Sequence, residues 1–166
     1  VGCIPSKALL ESSEMYHQAH DGMQVHGVVV GSVELDLPAM MERKDKIVGT
    51  MVKGIGGLLK GHKVDHVVGA ATISGAGTVD VSGEQQQTLR GERILIATGS
   101  APIELPALPF DGEHLISSTE ALCLETVPER LIVIGAGAIG LEIGSVWNRL
   151  GTEVLVVEFM DHILPG

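Results

Sequence analysis

Three closely spaced glycines carry the clearest chemical signal in the sequence. Gly135, Gly137 and Gly140 follow the apolar run 131–134 in the spacing G-x-G-x-x-G. In this pattern the first glycine allows a tight turn, the second lets the backbone approach a pyrophosphate, and the third lets a helix pack closely on a strand. Glu158 stands 18 residues past Gly140, where an acidic side chain can accept a hydrogen bond from a ribose 2′-hydroxyl. The pattern predicts a dinucleotide site; the alternative is an ordinary βαβ turn, with Glu158 as a solvated strand-end residue.

The elements around these glycines fit that prediction. Residues 131–134 are β-branched or leucine, and they predict a strand buried on both faces. A helix follows, whose N-terminus offers free N–H groups and a partial positive charge to a pyrophosphate. Gly151 ends this helix, and residues 154–157 predict a second strand. The side of the helix that is predicted to be buried carries Ile139, Ile143, Val146, Trp147 and Leu150.

Cys3 is the second candidate functional residue, as a redox-active thiol. Pro5 predicts a helix from about that residue to His20, because proline suits the first turn, so Cys3 lies at a helix N-terminus. The helix end and Lys7, four residues on, would both place positive charge near the thiol, as a redox cysteine requires. The alternative is a buried, unreactive thiol. Cys123 stands in an ordinary segment and is interpreted as a small buried apolar residue.

The segment that follows the first helix predicts one more helix and then strands. Residues 22–35 predict a loop with a short strand at 28–30, and an amphipathic helix is predicted from Asp36 to Gly61. Its methionine-bearing stripe is interpreted as core rather than as a binding surface. An alternation with period two then predicts a small antiparallel meander, with strands at 64–68, 71–73, 78–81 and 87–89.

The meander leads into a second small-residue turn. Residues 93–97 predict a buried strand, and Thr98, Gly99 and Ser100 form the turn at its end. Three prolines in residues 101–114 exclude a helix there. This stretch is therefore interpreted as the connection between two domains.

Composition excludes several classes of function. The 166 residues carry a formal net charge of −10 without a Lys/Arg cluster, which disfavours nucleic acid as a partner. The longest apolar run is shorter than the roughly 20 residues of a membrane span. The seven histidines lack the spacing of metal ligands, so no metal site is predicted. Two cysteines make no disulfide framework, which is consistent with a reducing compartment. The chain starts at Val1 without a basic leader, so we expect a segment of a longer protein without a signal peptide.

Three motifs, in order along the chain, resemble the pyridine nucleotide-disulfide oxidoreductase family. They read VGCIPSK at residues 1–7, ILIATGS at 94–100 and VIGAGAIGLEIGSVWNRLG at 133–151. The resemblance implies an α/β fold. Residues 1–114 would form part of an FAD-binding Rossmann-like domain with an antiparallel β-meander, without its N-terminal flavin motif. Residues 115–166 would form the first βαβ unit of a second Rossmann domain, which binds NAD.

The resemblance also implies roles for particular residues. Cys3 looks like the flavin-facing member of a redox disulfide, whose other cysteine would lie before Val1. Lys7 would sit near the flavin and pair with Glu142, for which a helix-dipole carboxylate is the alternative. Cys3, Lys7 and Glu142 are the expected catalytic residues. The expected cofactor contacts are Lys7, Ala71, Thr98, Gly99 and Ser100 for FAD, with Ala71 in place of a common glycine, and Gly135, Ala136, Gly137, Ala138, Ile139, Gly140, Leu141, Glu142 and Glu158 for NAD.

Within the family, the residues after Cys3 and the SVWNRLG helix resemble the branch that oxidises protein-bound dihydrolipoyl groups, and Glu158 favours NAD over NADP. The implied partners are the lipoyl domains of 2-oxoacid dehydrogenase or glycine cleavage complexes and a second copy in a homodimer. The implied location is the cytoplasm of a bacterium or the mitochondrial matrix of a eukaryote. One alternative is a reductase of another disulfide or of mercury, similar to glutathione or mercuric reductase. Another is a nucleotide-binding module without redox chemistry.

Overall fold

The computed structural model describes residues 2–83 and 86–164 of an α/β protein. In chain order the elements are helix α1 (Cys3–His17), a π-helical turn (Gln18–Gly22), a 3₁₀ turn (Met23–His26), α2 (Leu37–Gly61), β1 (Ala70–Gly75), β2 (Thr78–Ser82), β3 (Gln87–Arg90), α3 (Ser118–Ala121), β4 (Arg130–Ile134), α4 (Ala138–Arg149) and β5 (Glu153–Val157). The α/β fold class is confirmed.

Contacts divide the chain into two compact units. The first is built from the described residues up to Val52 and from Pro102 onward, and the second from Lys53 to Ala101. Helix α1 falls in the first unit because it packs along α4, although the two helices lie in different predicted domains. The division by contacts therefore differs from the predicted boundary between residues 114 and 115. The assignment of two cofactor-binding domains stays a prediction.

Strands β4 and β5 and helix α4 form a βαβ unit. The strands are parallel and in register, from Arg130 opposite Glu153 to Ile134 opposite Val157. Gly151 follows α4 with a φ of +108°, an angle that glycine adopts without the steric penalty of a β-carbon. The predicted order of strand, helix and strand is confirmed.

The core of the first unit is built on the buried face of α4. Trp147 is fully buried, and its indole Nε1 donates a hydrogen bond to the carbonyl oxygen of Ala121 at 3.0 Å. This bond satisfies the one polar group of the ring. The other buried residues of this core come from α1, α2, the α3 region and α4: Leu9, Leu37, Ala121, Leu122, Ile143, Val146 and Leu150. The predicted apolar side of α4 is confirmed except at Ile139, which is exposed beside the glycines.

The prediction that β4 is buried on both faces is wrong for the described chain. Leu131 and Val133 are half-buried, whereas Ile132 and Ile134 are exposed. Helix α4 packs on the strand, and within the described residues only one face is covered. An apolar run shows that a strand can be buried, but it does not show which neighbours cover it.

The second unit contains an antiparallel meander in the order β1, β2, β3. Strand β1 pairs with β2 from Ala70 opposite Ser82, and β2 pairs with β3 from Thr78 opposite Arg90. These three predicted strands are confirmed. The predicted strands at 64–68 and 93–97 are wrong, because neither segment has regular structure. A strand needs hydrogen bonds to a neighbour, and no described strand pairs with either segment.

The two long helices begin close to their predicted positions. Asp36 caps α2 by accepting a hydrogen bond from the backbone N–H three residues on, at 2.9 Å. Met40 and Met41 pack against the core, as predicted, whereas the prediction that the stripe is core is wrong for Met51, which is exposed. Helix α1 ends at His17, before its predicted end, and continues as the π-helical turn.

Two further predictions in the first unit are wrong. Residues 28–30 form no strand, and Val29 is 94% exposed. Cys123 is exposed rather than buried. Leu122 enters the core instead, and the thiol of Cys123 lies at the edge of the core, where its Sγ is 3.8 Å from Lys44 Nζ.

Candidate functional site

The glycine turn joins β4 to α4 in a geometry that needs glycine at two positions. Gly135 has a φ of +101°, which residues with a β-carbon rarely adopt. Its N–H donates a hydrogen bond to the carbonyl of Val157 at 2.8 Å, so the turn is fixed to the end of β5. A β-carbon on Gly140 would lie 2.5 Å from the carbonyl oxygen of Gly135 and 2.9 Å from Cγ1 of Val133. Only glycine therefore lets α4 begin against the turn.

The N-terminus of α4 faces open space at Gly137. This residue caps the helix with a φ of −73° and a ψ of 173°, and a β-carbon there would meet no atom within 4 Å. Leu141 donates a hydrogen bond to the carbonyl of Gly137 at 3.1 Å, and the N–H groups before Leu141 have no acceptor within the helix. These N–H groups and the helix dipole make this end of α4 suited to an anion such as a pyrophosphate.

Glu158 is hydrogen-bonded to the glycine turn. Its Oε2 accepts from the N–H of Ala136 at 2.6 Å, and its Oε1 accepts from the N–H of Met160 at 2.8 Å. These backbone donors, that of Met160 first, lower the pKa of the carboxyl below its ordinary value of 4.5. A carboxylate has about four acceptor positions, so this charged group can still accept hydrogen bonds from a ribose.

Helix α1 carries the candidate thiol at its first residue. Cys3 is exposed and forms no disulfide among the described residues. One helical turn later, Lys7 Nζ donates a hydrogen bond to Glu142 Oε1 at 2.5 Å. The predicted pairing of Lys7 with Glu142 is therefore present. It brings the helix that starts with the thiol against the first turns of α4.

The other expected cofactor contacts lie in the second unit. Thr98, Gly99 and Ser100 are exposed, and the predicted turn has a left-handed glycine, Gly99 with a φ of +79°, but no strand before it. Ala71 lies in β1 opposite Val81. A strand backbone accepts alanine as readily as glycine, so the departure from the family's common glycine does not disturb this position.

Sequence reasoning missed a second ion pair between α1 and α4. Arg149 Nη2 lies 2.8 Å from Glu14 Oε2, and Arg149 Nη1 donates to the carbonyl of Leu10 at 3.5 Å. The signal in the sequence is a repeated spacing, because Glu14 follows Lys7 by seven residues and Arg149 follows Glu142 by seven. Residues seven apart share a helix face. The spacing becomes informative once the two helices are known to pack side by side.

A cavity of about 510 Å³ lies at the C-terminal end of α4, away from the glycine turn. Arg149 and residues of the π-helical turn line it, and His20 Nδ1 there lies 2.9 Å from Asp21 Oδ1. Among the residues that the structure describes, no group of three or more His, Cys, Asp or Glu side chains could hold a metal ion. Within the same residues, no helix combines the length and apolar character that crossing a membrane requires.

The sequence matches the pyridine nucleotide-disulphide oxidoreductase family over residues 1–166. The chain belongs to this family. One similar member is the mitochondrial dihydrolipoyl dehydrogenase of Pisum sativum, which is 50% identical over 99% of this chain. Another is the leghemoglobin reductase of Glycine max, which is 49% identical over 99% of this chain. The crystal structure of LpdA from Mycobacterium tuberculosis is similar with a TM-score of 0.83 and 25% identity, over 99% of this chain and 37% of that chain.

The chain spans about one third of the length of these pyridine nucleotide-disulphide oxidoreductases. It covers 33% of the Pisum sativum protein and 32% of the Glycine max protein. The resemblance that three sequence motifs imply is thus confirmed at the level of the family. These two relatives have different names and nearly equal identity to the chain. The substrate must therefore be inferred from the residues of the site.

Proposed function

We propose that the chain is the part of a dihydrolipoyl dehydrogenase that carries its redox thiol and its first NAD-binding βαβ unit. Such an enzyme oxidises protein-bound dihydrolipoyl groups and reduces NAD, with FAD between them. The observation that carries the proposal is the 2.5 Å contact between Lys7 and Glu142. It joins the helix that begins with Cys3 to the helix that begins at the glycine turn. A nucleotide-binding module without redox chemistry would have no use for a thiol at the start of the helix that this pair holds in place.

The glycine turn fits the NAD pyrophosphate. Residues 135–141 supply the turn and the helix N-terminus, and the open space at Gly137 leaves room for a close approach. Glu158 would accept hydrogen bonds from the adenosine ribose and repel the 2′-phosphate of NADP. Residues 159–166 contain no arginine, so these eight residues offer no guanidinium to bind that phosphate in a bidentate way.

Two groups of residues fit the FAD contacts that the resemblance implies. In the first unit, Cys3 and Lys7 are both exposed near the start of α1. In the second unit, the turn at Thr98, Gly99 and Ser100 presents small side chains and an accessible backbone. When bound, FAD and NAD supply the electron and hydride chemistry, which the protein only positions.

Cys3 is the proposed electron relay on the protein. Its thiol would form a disulfide with a cysteine outside this sequence, and the two thiols of the substrate would reduce that disulfide while they close to a ring disulfide. Lys7 lies one turn after Cys3 on α1, so its ammonium is on the same side of the helix. Glu142 holds that ammonium by its 2.5 Å hydrogen bond. The proposed roles of Lys7 and Glu142 are to place a fixed positive charge beside the relay.

The proposal has consequences for partners and location. Lipoyl domains of 2-oxoacid dehydrogenase or glycine cleavage complexes would deliver the substrate, and the complete protein would be a homodimer. The mitochondrial matrix or a bacterial cytoplasm would be its compartment. The net charge of −10 fits protein partners better than nucleic acid.

Replacing Cys3 in the full-length protein tests the proposal. Cys3→Ser should abolish the reduction of NAD by dihydrolipoamide, measured as NADH absorbance, while the FAD content stays at the wild-type level because the thiol contributes little to cofactor affinity. Cys123→Ser is the matched control, since that thiol is also exposed but has no proposed role, and it should keep the wild-type rate. Substantial activity in Cys3→Ser would rule out Cys3 as the relay.

A further inference from the structure

Helices α1 and α4 are joined by two ion pairs at matching positions. Lys7 pairs with Glu142 at 2.5 Å, and Glu14 pairs with Arg149 at 2.8 Å. In each helix the second charged residue follows the first by seven residues, which is about two turns or about 10.5 Å along the axis. The two helices therefore run in the same direction, with both ion pairs along one line of contact.

The order of the charges is reversed between the two helices. Helix α1 carries a positive and then a negative residue, whereas α4 carries a negative and then a positive one. Displacing α1 by two turns along α4 would bring Lys7 against Arg149 in one direction and Glu14 against Glu142 in the other. Like charges at this distance repel. The pattern therefore disfavours shifted packings, as charged flanking positions do between coiled-coil helices.

The pair between Glu14 and Arg149 is the better fixed of the two. Its side chains are 36% and 29% exposed, whereas that of Lys7 is 59% exposed. Arg149 also reaches the backbone of α1 through its hydrogen bond to the carbonyl of Leu10. A planar guanidinium loses less freedom for each hydrogen bond formed than an ammonium does. Such partly exposed pairs contribute little to stability, so their main effect is on register.

We propose that Glu14 and Arg149 are positioning residues that hold α1 in one axial register on α4. Cys3 is the first residue of α1, and the glycine turn immediately precedes α4. A slide of one helix along the other therefore changes the distance from the thiol to the glycine turn directly. The inference rests on the proposed function, which supplies the reason that this distance matters.

Charge reversal in the full-length, FAD-loaded protein tests this role. Arg149→Glu and Glu14→Arg each bring like charges together, whereas the double swap restores an opposite pair. We expect each single reversal to lower kcat for NAD reduction by dihydrolipoamide about fivefold, and the swap to regain most of it, as for residues in contact. The KM for NAD should stay unchanged in all three, because the glycine turn is not altered.

The matched control is the pair between Glu11 and Arg43, whose atoms lie 2.6 Å apart. This pair joins α1 to α2 and does not touch α4, so Arg43→Glu should leave kcat near the wild-type value. Single reversals at Glu14 or Arg149 that behave like Arg43→Glu would overturn the inference. So would a double swap that restores nothing.

The alkylation rate of Cys3 by iodoacetamide gives a second readout that needs no turnover. Peptide mapping separates Cys3 from Cys123. In the reduced protein we expect this rate to change in both single reversals and to return in the swap, with Arg43→Glu unchanged. A wild-type protein without dihydrolipoamide activity would refute the proposed function, and the alkylation rates would then decide the positioning role alone: restoration by the swap supports it, and equal rates in all variants overturn it.

Discussion

The chain contains two small-residue turns that follow similar apolar runs and differ in support. Residues 131–134 lie in β4, which pairs along its whole length with β5, and the turn after it is hydrogen-bonded to Val157 and Glu158. Residues 94–97 form no strand, and Leu95 is 90% exposed. The partner of the run at 131–134 is β5, which follows a short distance along the same chain. An apolar run thus shows that a segment can form a buried strand, whereas the availability of a partner strand decides whether it does.

Filling the glycine turn between β4 and α4 should have the strongest effect. Gly140→Ala places a β-carbon 2.5 Å from the carbonyl oxygen of Gly135, and we expect it to destabilise the βαβ unit by about 1–3 kcal/mol or more, with loss of NAD binding. Gly137→Ala is the matched control, because its backbone angles are ordinary and the space is open. It should keep the stability and weaken NAD binding alone. Thermal unfolding measures the stability of each variant, and calorimetric titration measures its affinity for NAD. An equal loss of stability in the two variants would contradict the close approach at Gly140.

Removing the carboxylate of Glu158, which is hydrogen-bonded to the glycine turn, should have a smaller effect. Because Glu158 is proposed to bind the ribose and repel a 2′-phosphate, Glu158→Ala should reduce the preference for NAD over NADP, in kcat/KM, about tenfold or more. Glu153→Ala, an exposed acid at the start of the same strand, is the control and should leave the preference alone. If the preference survives in Glu158→Ala, Glu158 is not the ribose ligand.

The weakest effect should be a pH dependence of stability at the carboxyl of Glu158. Backbone N–H groups, that of Met160 first, lower the pKa of Glu158 below its ordinary value of 4.5, so its contribution to stability is present above the ordinary value and is lost as the pH falls through the lowered folded value. The stability difference between wild type and Glu158→Gln should accordingly shrink only below pH 4.5. A carboxyl titration followed by NMR checks the sign. A midpoint at or above the ordinary value would mean that the turn does not hold the carboxylate.

The sequence is sufficient to predict an element when the residues that the element contacts lie close to it in the chain. The βαβ unit, the start of α2 and the three meander strands follow from spacing and turn residues that act locally. The predicted strands at 64–68 and 93–97 are wrong because the formation of a strand depends on a partner strand that local sequence does not specify. Cys123 was mispredicted because a single position at a helix end can face either way.

The candidate site was predictable to a similar extent. The glycines and Glu158 follow from a known spacing, and the pairing of Lys7 with Glu142 was reached only through the family resemblance. The pair between Glu14 and Arg149 could not be predicted from the sequence. Charges seven residues apart indicate an interhelical pair only when two helices are known to pack in parallel. Contacts between distant segments are thus the part that composition and periodicity leave undetermined.

The most direct test of the proposed function is a comparison of substrates for the purified full-length protein. Initial rates are measured for dihydrolipoamide with NAD, for glutathione disulfide with NADPH, and for mercuric ion with NADPH. We expect the first reaction to exceed both others by about a hundredfold or more, since a site that discriminates by charge and hydrogen bonds can reach such ratios. A faster reaction with either NADPH pair, or no reduction of NAD by dihydrolipoamide, would contradict the assignment.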